Sequence, residues 1–211
     1  LFGVSGLAQA EVTSGESNYK LCSYCHGVNG EGKESIAAPA IAGLPKWYIL
    51  NQFEKYQNGA RGWHADDLAG KRMRPMARTL LVYDDEDAAK EKMDQIADYV
   101  ANMKPQVPNN DVSGNLVNGE KKYQVCIACH GADGRGNKLL NSPPLVWQND
   151  WYMLSQLKAF KNGWRGVNPA IDATGASMRP NAMTLEEQDM IDVIAYIQEL
   201  RDMEPSMQGA E

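Results

Sequence analysis

The chain carries one five-residue signature twice, Cys22-Ser23-Tyr24-Cys25-His26 and Cys126-Ile127-Ala128-Cys129-His130. C-x-x-C-H is the attachment signature of c-type haem: the two thiols join the vinyl groups of one haem and the following His ligates its iron. Two covalently bound haem c groups are therefore expected, using all four cysteines and two of the three histidines. Other readings fit less well. Structural zinc takes four Cys or His ligands, usually from two separated pairs, and no second pair lies near either copy. A redox-active C-x-x-C belongs in a βαβ context, and no strand pattern flanks either copy. Two disulfides would not require a His after each second Cys.

The two signatures belong to a tandem repeat. Shifting the sequence by 104 positions aligns Gly15–Gly62 with Gly119–Gly166 without a gap, and 18 of these 48 positions are identical. One inserted residue later, Met73-Arg-Pro-Met-Ala-Arg-Thr-Leu80 aligns with Met178-Arg-Pro-Asn-Ala-Met-Thr-Leu185. A period this long marks duplicated domains, since solenoid repeats run to about 20–50 residues. Residues 104–114, with Pro105 and Pro108 blocking helix continuation, read as a linker. The expected organisation is residues 1–10 as a leader remnant or disordered terminus, domain one at 11–104, a linker at 105–114, domain two at 115–205 and a tail at 206–211.

Each half reads as all-α, a few helices wrapped around one haem. A first helix near 15–25 and 119–129 delivers the Cys and His. A second opens at Pro45 as its first residue and ends at Gly59; its counterpart runs from about Asp150 to Gly163. The last helix of half two starts in a capping box at Thr184-Leu-Glu-Glu187, with Met190, Ile191, Ile194 and Ile197 at helical spacing. Its equivalent spans roughly 85–103, preceded or lengthened by about eight extra residues around Asp84–Lys92. Each half is small for an independent core, so haem burial is expected to supply much of it.

Charge and hydropathy narrow the setting. The net charge is −6, which argues against nucleic acid, because phosphate binding needs clustered Lys and Arg. Residues 1–10, LFGVSGLAQA, are apolar and end in an A-x-A pattern, like the tail of a secretory signal peptide. Periplasmic export is the expectation, with membrane tethering if the apolar segment is retained. No other stretch reaches the ~20 apolar residues of a membrane span.

An electron-carrying haem has both axial positions filled, and the candidates opposite His26 and His130 are Met or His. Equivalent folds imply equivalent ligands. Among ten methionines, Met73 and Met178 align with each other, whereas Met76 aligns with Asn181 and Met183 with Arg78. The iron ligands expected are thus His26 and Met73, and His130 and Met178. Met93, Met103, Met153, Met190 and Met203 sit at helical positions and read as core filler. His64, a rival ligand in half one, has no counterpart in half two and reads better as a loop histidine. Pro39 and Pro143 each follow the ligand His by 13 residues, where a backbone carbonyl would hold the imidazole; a plain turn proline is the alternative. Arg61 and Arg165 suit haem propionates. Tyr48 and Tyr152 are weaker candidates for the same role, and Trp47 and Trp151 are either haem-packing or core aromatics.

These residues together resemble the dihaem cytochrome c4 family, two fused class I cytochrome c domains. The carriers are CSYCHGVNGEG and CIACHGADGRG, WYILNQF and WYMLSQL, MRPMARTL and MRPNAMTL, and the final helices with Asp98-Tyr99-Val100 and Ala195-Tyr196-Ile197. The resemblance covers nearly everything after residue 14. It implies a periplasmic electron shuttle between respiratory donors, such as a cytochrome bc1-type complex or a dehydrogenase, and a terminal oxidase or reductase, with haem propionates near the domain interface. Its Met, seven residues before the Leu, matches the family's axial ligand at Met73 and Met178. The expected protein is an electron carrier and not an enzyme, since two His/Met irons leave no open position. Two alternatives remain at this level: a dihaem subunit of a periplasmic dehydrogenase complex and a dihaem peroxidase.

Overall fold

A computed structural model describes residues 13–81, 85–108 and 112–203. Among them are eight α-helices and no strands. Half one contains α1 (Ser14–His26), α2 (Lys46–Gln57), α3 (Leu68–Thr79) and α4 (Glu86–Ala101). Half two repeats them as α5 (Leu116–His130), α6 (Asp150–Lys161), α7 (Ala173–Met183) and α8 (Glu187–Met203). The ends of the sequence, including the leader and tail expected at 1–10 and 206–211, lie outside the described residues.

The first and last helices of each half cross closely because a glycine allows it. An added Cβ at Gly15 would lie 2.6 Å from the Gln95 carbonyl oxygen, and one at Gly119 would lie 2.1 Å from that of Asp192. A tyrosine one turn further on then packs on a tyrosine of the partner helix, Tyr19 on Tyr99 at 5.4 Å and Tyr123 on Tyr196 at 5.6 Å. The Tyr19 hydroxyl donates to the Gly27 carbonyl (2.6 Å) and that of Tyr123 to Gly131 (2.8 Å). These bonds fix the loop that follows each signature. Apolar cores built on Tyr19, Ile96 and Val100, and on Tyr123, Ile194 and Ile197, complete the two halves.

Four details depart from the sequence reading. Pro45 occupies the N-cap of α2 and not its first helical position. The capping box at Thr184 does not form: its hydroxyl donates back to the Asn181 carbonyl at the end of α7 (2.8 Å), and Asp189 instead accepts from the Glu186 N–H (3.1 Å). Met103 lies past the end of α4, although it still packs against the core. The methionine segments themselves are helical, as α3 and α7, each carrying an internal proline, Pro75 or Pro180.

The eight extra residues of half one divide in two. Tyr99 follows Leu80 by 19 residues and Tyr196 follows Leu185 by 11. Helix α4 begins 13 residues before its tyrosine and α8 begins 9 before its own, so four of the extra residues add one turn to α4. The other four lengthen the connection from α3, where Asp84 lies outside the described residues.

The halves meet through polar contacts. The Ala40 N–H donates to Asn149 Oδ1 (2.6 Å) and Gln148 Nε2 donates to the Ala40 carbonyl (3.1 Å). Arg61 Nη2 reaches Tyr152 Oη at 3.0 Å, and Lys55 pairs with Asp172 at 2.7 Å. The His64 ring stacks on Trp164, with centroids 5.8 Å apart and planes 19° from parallel.

Candidate haem sites

Each signature ends its helix. His26 and His130 are the last residues of α1 and α5, and Gly27 and Gly131 follow at φ of 83° and 81°, a backbone that turns the chain sharply away. This end of a helix carries its negative pole, which disfavours thiolate. Burial pushes the Cys22 and Cys126 thiols up to about 11. A redox-active C-x-x-C needs the reverse, a thiol pKa lowered at a helix N-terminus. All four cysteines are free, and no cluster of three His, Cys, Asp or Glu able to hold a metal occurs among the described residues. The thiol-redox reading therefore finds no support in the geometry.

Both histidines are held the same way. His26 Nδ1 lies 2.8 Å from the Pro39 carbonyl oxygen, and His130 Nδ1 lies 2.9 Å from that of Pro143. A carbonyl only accepts, so Nδ1 carries the proton and Nε2 is left with its lone pair. Burial lowers both imidazole pKa values, against the opposing pull of the carbonyl. Each ring is thus a neutral, oriented nitrogen donor, the form a metal requires.

In half two a cavity of about 260 Å³ opens beside this donor. Cys126, Cys129, His130 and Pro143 line it, and so does Met178 on α7. Apolar side chains such as Leu157, Phe160 and Ile194 make up much of the remaining wall. Met183 is 49% exposed on the outside of α7, which removes it from the site. Met73, the repeat equivalent of Met178, packs with Cys22 against the core of half one. Tyr48 and Tyr152 both line the half-two cavity, so Tyr48 reaches across from the other half. Trp47 and Trp151 pack edge-on against these tyrosines, with centroids 5.7 and 5.9 Å apart.

The arginines sit at the boundary between the halves. Arg61 and Arg165 are buried, over the rings of Tyr56 (4.5 Å) and Phe160 (4.2 Å). Gln156 Oε1 accepts from both, at 3.1 Å from Arg61 Nη2 and 2.6 Å from Arg165 Nη1. The Nε of each lacks a partner, as do those of Arg74 and Arg179 in the methionine helices. Of the four, Arg165 lines the cavity, and buried guanidinium donors left over call for an anionic acceptor. A haem fits this set on three counts: thiols and a neutral His on one helix, a Met in the same cavity, and spare guanidinium donors for its propionates.

Several site residues were not singled out from sequence. Arg74 and Arg179 were legible, since both stand inside the repeated Met-Arg-Pro motif. Lys55, Asp172, Gln148 and Asn149 were not: Lys55 corresponds to Ala159 in the other half, and the boundary contacts join residues more than 100 positions apart. His64 lies on the boundary loop, where its Nδ1 accepts from the Asp66 N–H (3.2 Å).

The family model for cytochrome c matches residues 12–104 and again 116–201. Cytochrome c4 of Azotobacter vinelandii is 29% identical over 210 residues, covering 94% of each chain. A thiosulfate dehydrogenase electron acceptor from Thiomonas intermedia (strain K12) is 32% identical over 161 residues, 70% of this chain and 66% of that one. The crystal structure of reduced recombinant cytochrome c4 from Pseudomonas stutzeri superposes with a TM-score of 0.66 at 26% identity, covering 90% of this chain and 98% of the other.

Proposed function

The chain belongs to the cytochrome c family, and we propose that it is a periplasmic electron shuttle whose irons are closed by His26 and Met73 in one half and by His130 and Met178 in the other. As a dihaem c-type cytochrome it transfers electrons through two covalently bound haem c groups. The bound haems supply a one-electron iron couple. One observation carries the closed-iron reading: Met178 lines the same cavity as Cys126, Cys129 and His130, and its repeat equivalent Met73 packs, like Cys22, against the core of half one.

The chain's own residues then have definite tasks. The four thiols anchor the macrocycles. The Pro39 and Pro143 carbonyls hold the proton on Nδ1, so that Nε2 stays a strong donor. Arg61 and Arg165 at the domain boundary, together with Arg74 and Arg179, would offer their spare guanidinium N–H groups to the propionates. Leu157, Phe160 and Ile194 exclude water from the half-two iron, which favours the less charged ferrous state. Two filled axial positions leave none for substrate, so the protein carries electrons and catalyses nothing itself. In this reading the two domains are residues 11–104 and 115–205.

No helix among the described residues is long and apolar enough to cross a membrane. In this reading the exported chain meets respiratory oxidases and reductases as its redox partners. The likeness to the Thiomonas electron acceptor favours a second reading, in which the donor is a periplasmic dehydrogenase that holds this chain as a stable subunit.

A redox titration of the purified protein tests the proposal. Two one-electron couples at positive potential, and a ferrous form that binds carbon monoxide slowly, are expected. Rapid carbon monoxide binding by the native protein contradicts closed irons. Stoichiometric co-purification with a dehydrogenase would favour the subunit reading over the free shuttle.

A further inference from the structure

The two halves differ at one buried ion pair. Asp172 caps α7, its Oδ1 accepting the Gly175 N–H at 2.9 Å, just as Asp67 caps α3 through the Gly70 N–H at 2.9 Å. The resemblance ends there. Asp67 is partly exposed, whereas Asp172 is 2% exposed. The Lys55 ammonium lies 2.7 Å from Asp172 Oδ1 and also donates to Thr174 Oγ1. Lys55 comes from α2 of half one, and the position it would match in half two is Ala159. This charge therefore crosses the boundary in one direction only.

The pair lies against the half-two haem cavity. Lys55 lines that cavity together with Tyr48 and Gln52 of its own half. Asp172 stands six residues before Met178 at the foot of the same helix, roughly 9 Å along its axis at a rise of 1.5 Å per residue. Burial pushes the Asp172 carboxyl up, but the Lys55 bond and charge outweigh it and hold the group below the ordinary carboxylate value. The carboxylate is ionised at neutral pH, and its Oδ2 has no hydrogen-bond partner. A buried negative charge favours the more positively charged ferric state, and screening is weak in such surroundings. The lysine offsets it.

We propose that Lys55, reaching from half one to neutralise Asp172 at the foot of the Met178 helix, holds up the reduction potential of the half-two haem. Lys55 acts through Asp172 and is a positioning residue. The inference rests on the two-haem reading above, and it makes the half-two potential depend on the halves staying docked.

The test is a spectroelectrochemical titration of the holoprotein in four forms: native, Lys55→Met, Asp172→Asn and the double variant, with each haem followed by its own paramagnetic NMR signals. Met preserves the aliphatic stem of Lys55, and Asn preserves the N-cap of α7. Lys55→Met is expected to lower the half-two potential, seen as a several-fold drop in the reduced-to-oxidised ratio at fixed applied potential. Asp172→Asn is expected to raise it, and the double variant to return close to native, with the half-one haem little moved throughout. A merely structural contact predicts something else, because loosening the boundary hydrates both haems and shifts both potentials the same way in either variant. Same-sign shifts, shifts of both haems or no shift overturn the inference, and Asp172→Asn alone decides its sign if Lys55→Met does not fold. A native protein without two couples overturns the two-haem reading itself.

Discussion

Arg61 crosses the domain boundary to Tyr152, its Nη2 3.0 Å from the phenol oxygen, while its repeat equivalent Arg165 turns to Gln156 of its own half at 2.6 Å. The duplication has therefore not produced a symmetric joint. Replacing Arg61 by Gln removes a buried cation bonded to Gln52, Tyr152 and Gln156 at once. Hydrogen bonds to a charged group are worth about 1.5–3 kcal/mol, so a loss of about 2–3 kcal/mol is expected in denaturant unfolding of the holoprotein. Arg165→Gln should cost less at the boundary, since its Nη1 bond stays within one half.

The glycine crossings give a second expectation. Gly15→Ala and Gly119→Ala each drive a methyl into a backbone carbonyl that cannot swing aside. Overpacking of this kind costs about 1–3 kcal/mol. The closer approach at Gly119, 2.1 Å against 2.6 Å, makes it the more damaging site. Thermal unfolding of both variants checks the order, and a larger loss for Gly15→Ala would contradict it.

These expectations show which parts of the molecule could be read from the chain. The signature helices were legible because haem attachment needs contiguous residues, and their packing partners followed from repeated Gly and Tyr positions. Helices α3 and α7 were not, because Gly70, Gly175, Pro75 and Pro180 break the usual helical signals while the Asp67 and Asp172 caps quietly supply a start. The capping box at Thr184 misled for a local reason. The preceding helix runs on to Met183, so Thr184 ends α7 and does not begin α8. The Lys55–Asp172 pair was hidden because half two has an alanine where half one has its lysine.

Acid sensitivity supplies a third expectation. The Lys122 bond, with the Glu186 N–H and Asn118, holds the Asp189 carboxyl down to about 2 from an ordinary value of 3.8. A carboxyl depressed on folding stabilises the native state above its unfolded pKa, and that contribution fades as pH falls towards the folded value. Asp189→Asn should therefore be less stable than native at neutral pH, with the difference shrinking between about pH 4 and pH 2. Urea midpoints across that range test it; a gap that widens on acidification would be the wrong sign.

The central claim is that the same methionine closes the iron in each half, and the sulfur-to-iron charge-transfer band of the oxidised protein tests it most directly. Met73→Ala and Met178→Ala should each remove about half of the native band and lower the potential of one haem, and the double variant should remove the band entirely. An unchanged band in either single variant, or its survival in the double, would contradict the claim.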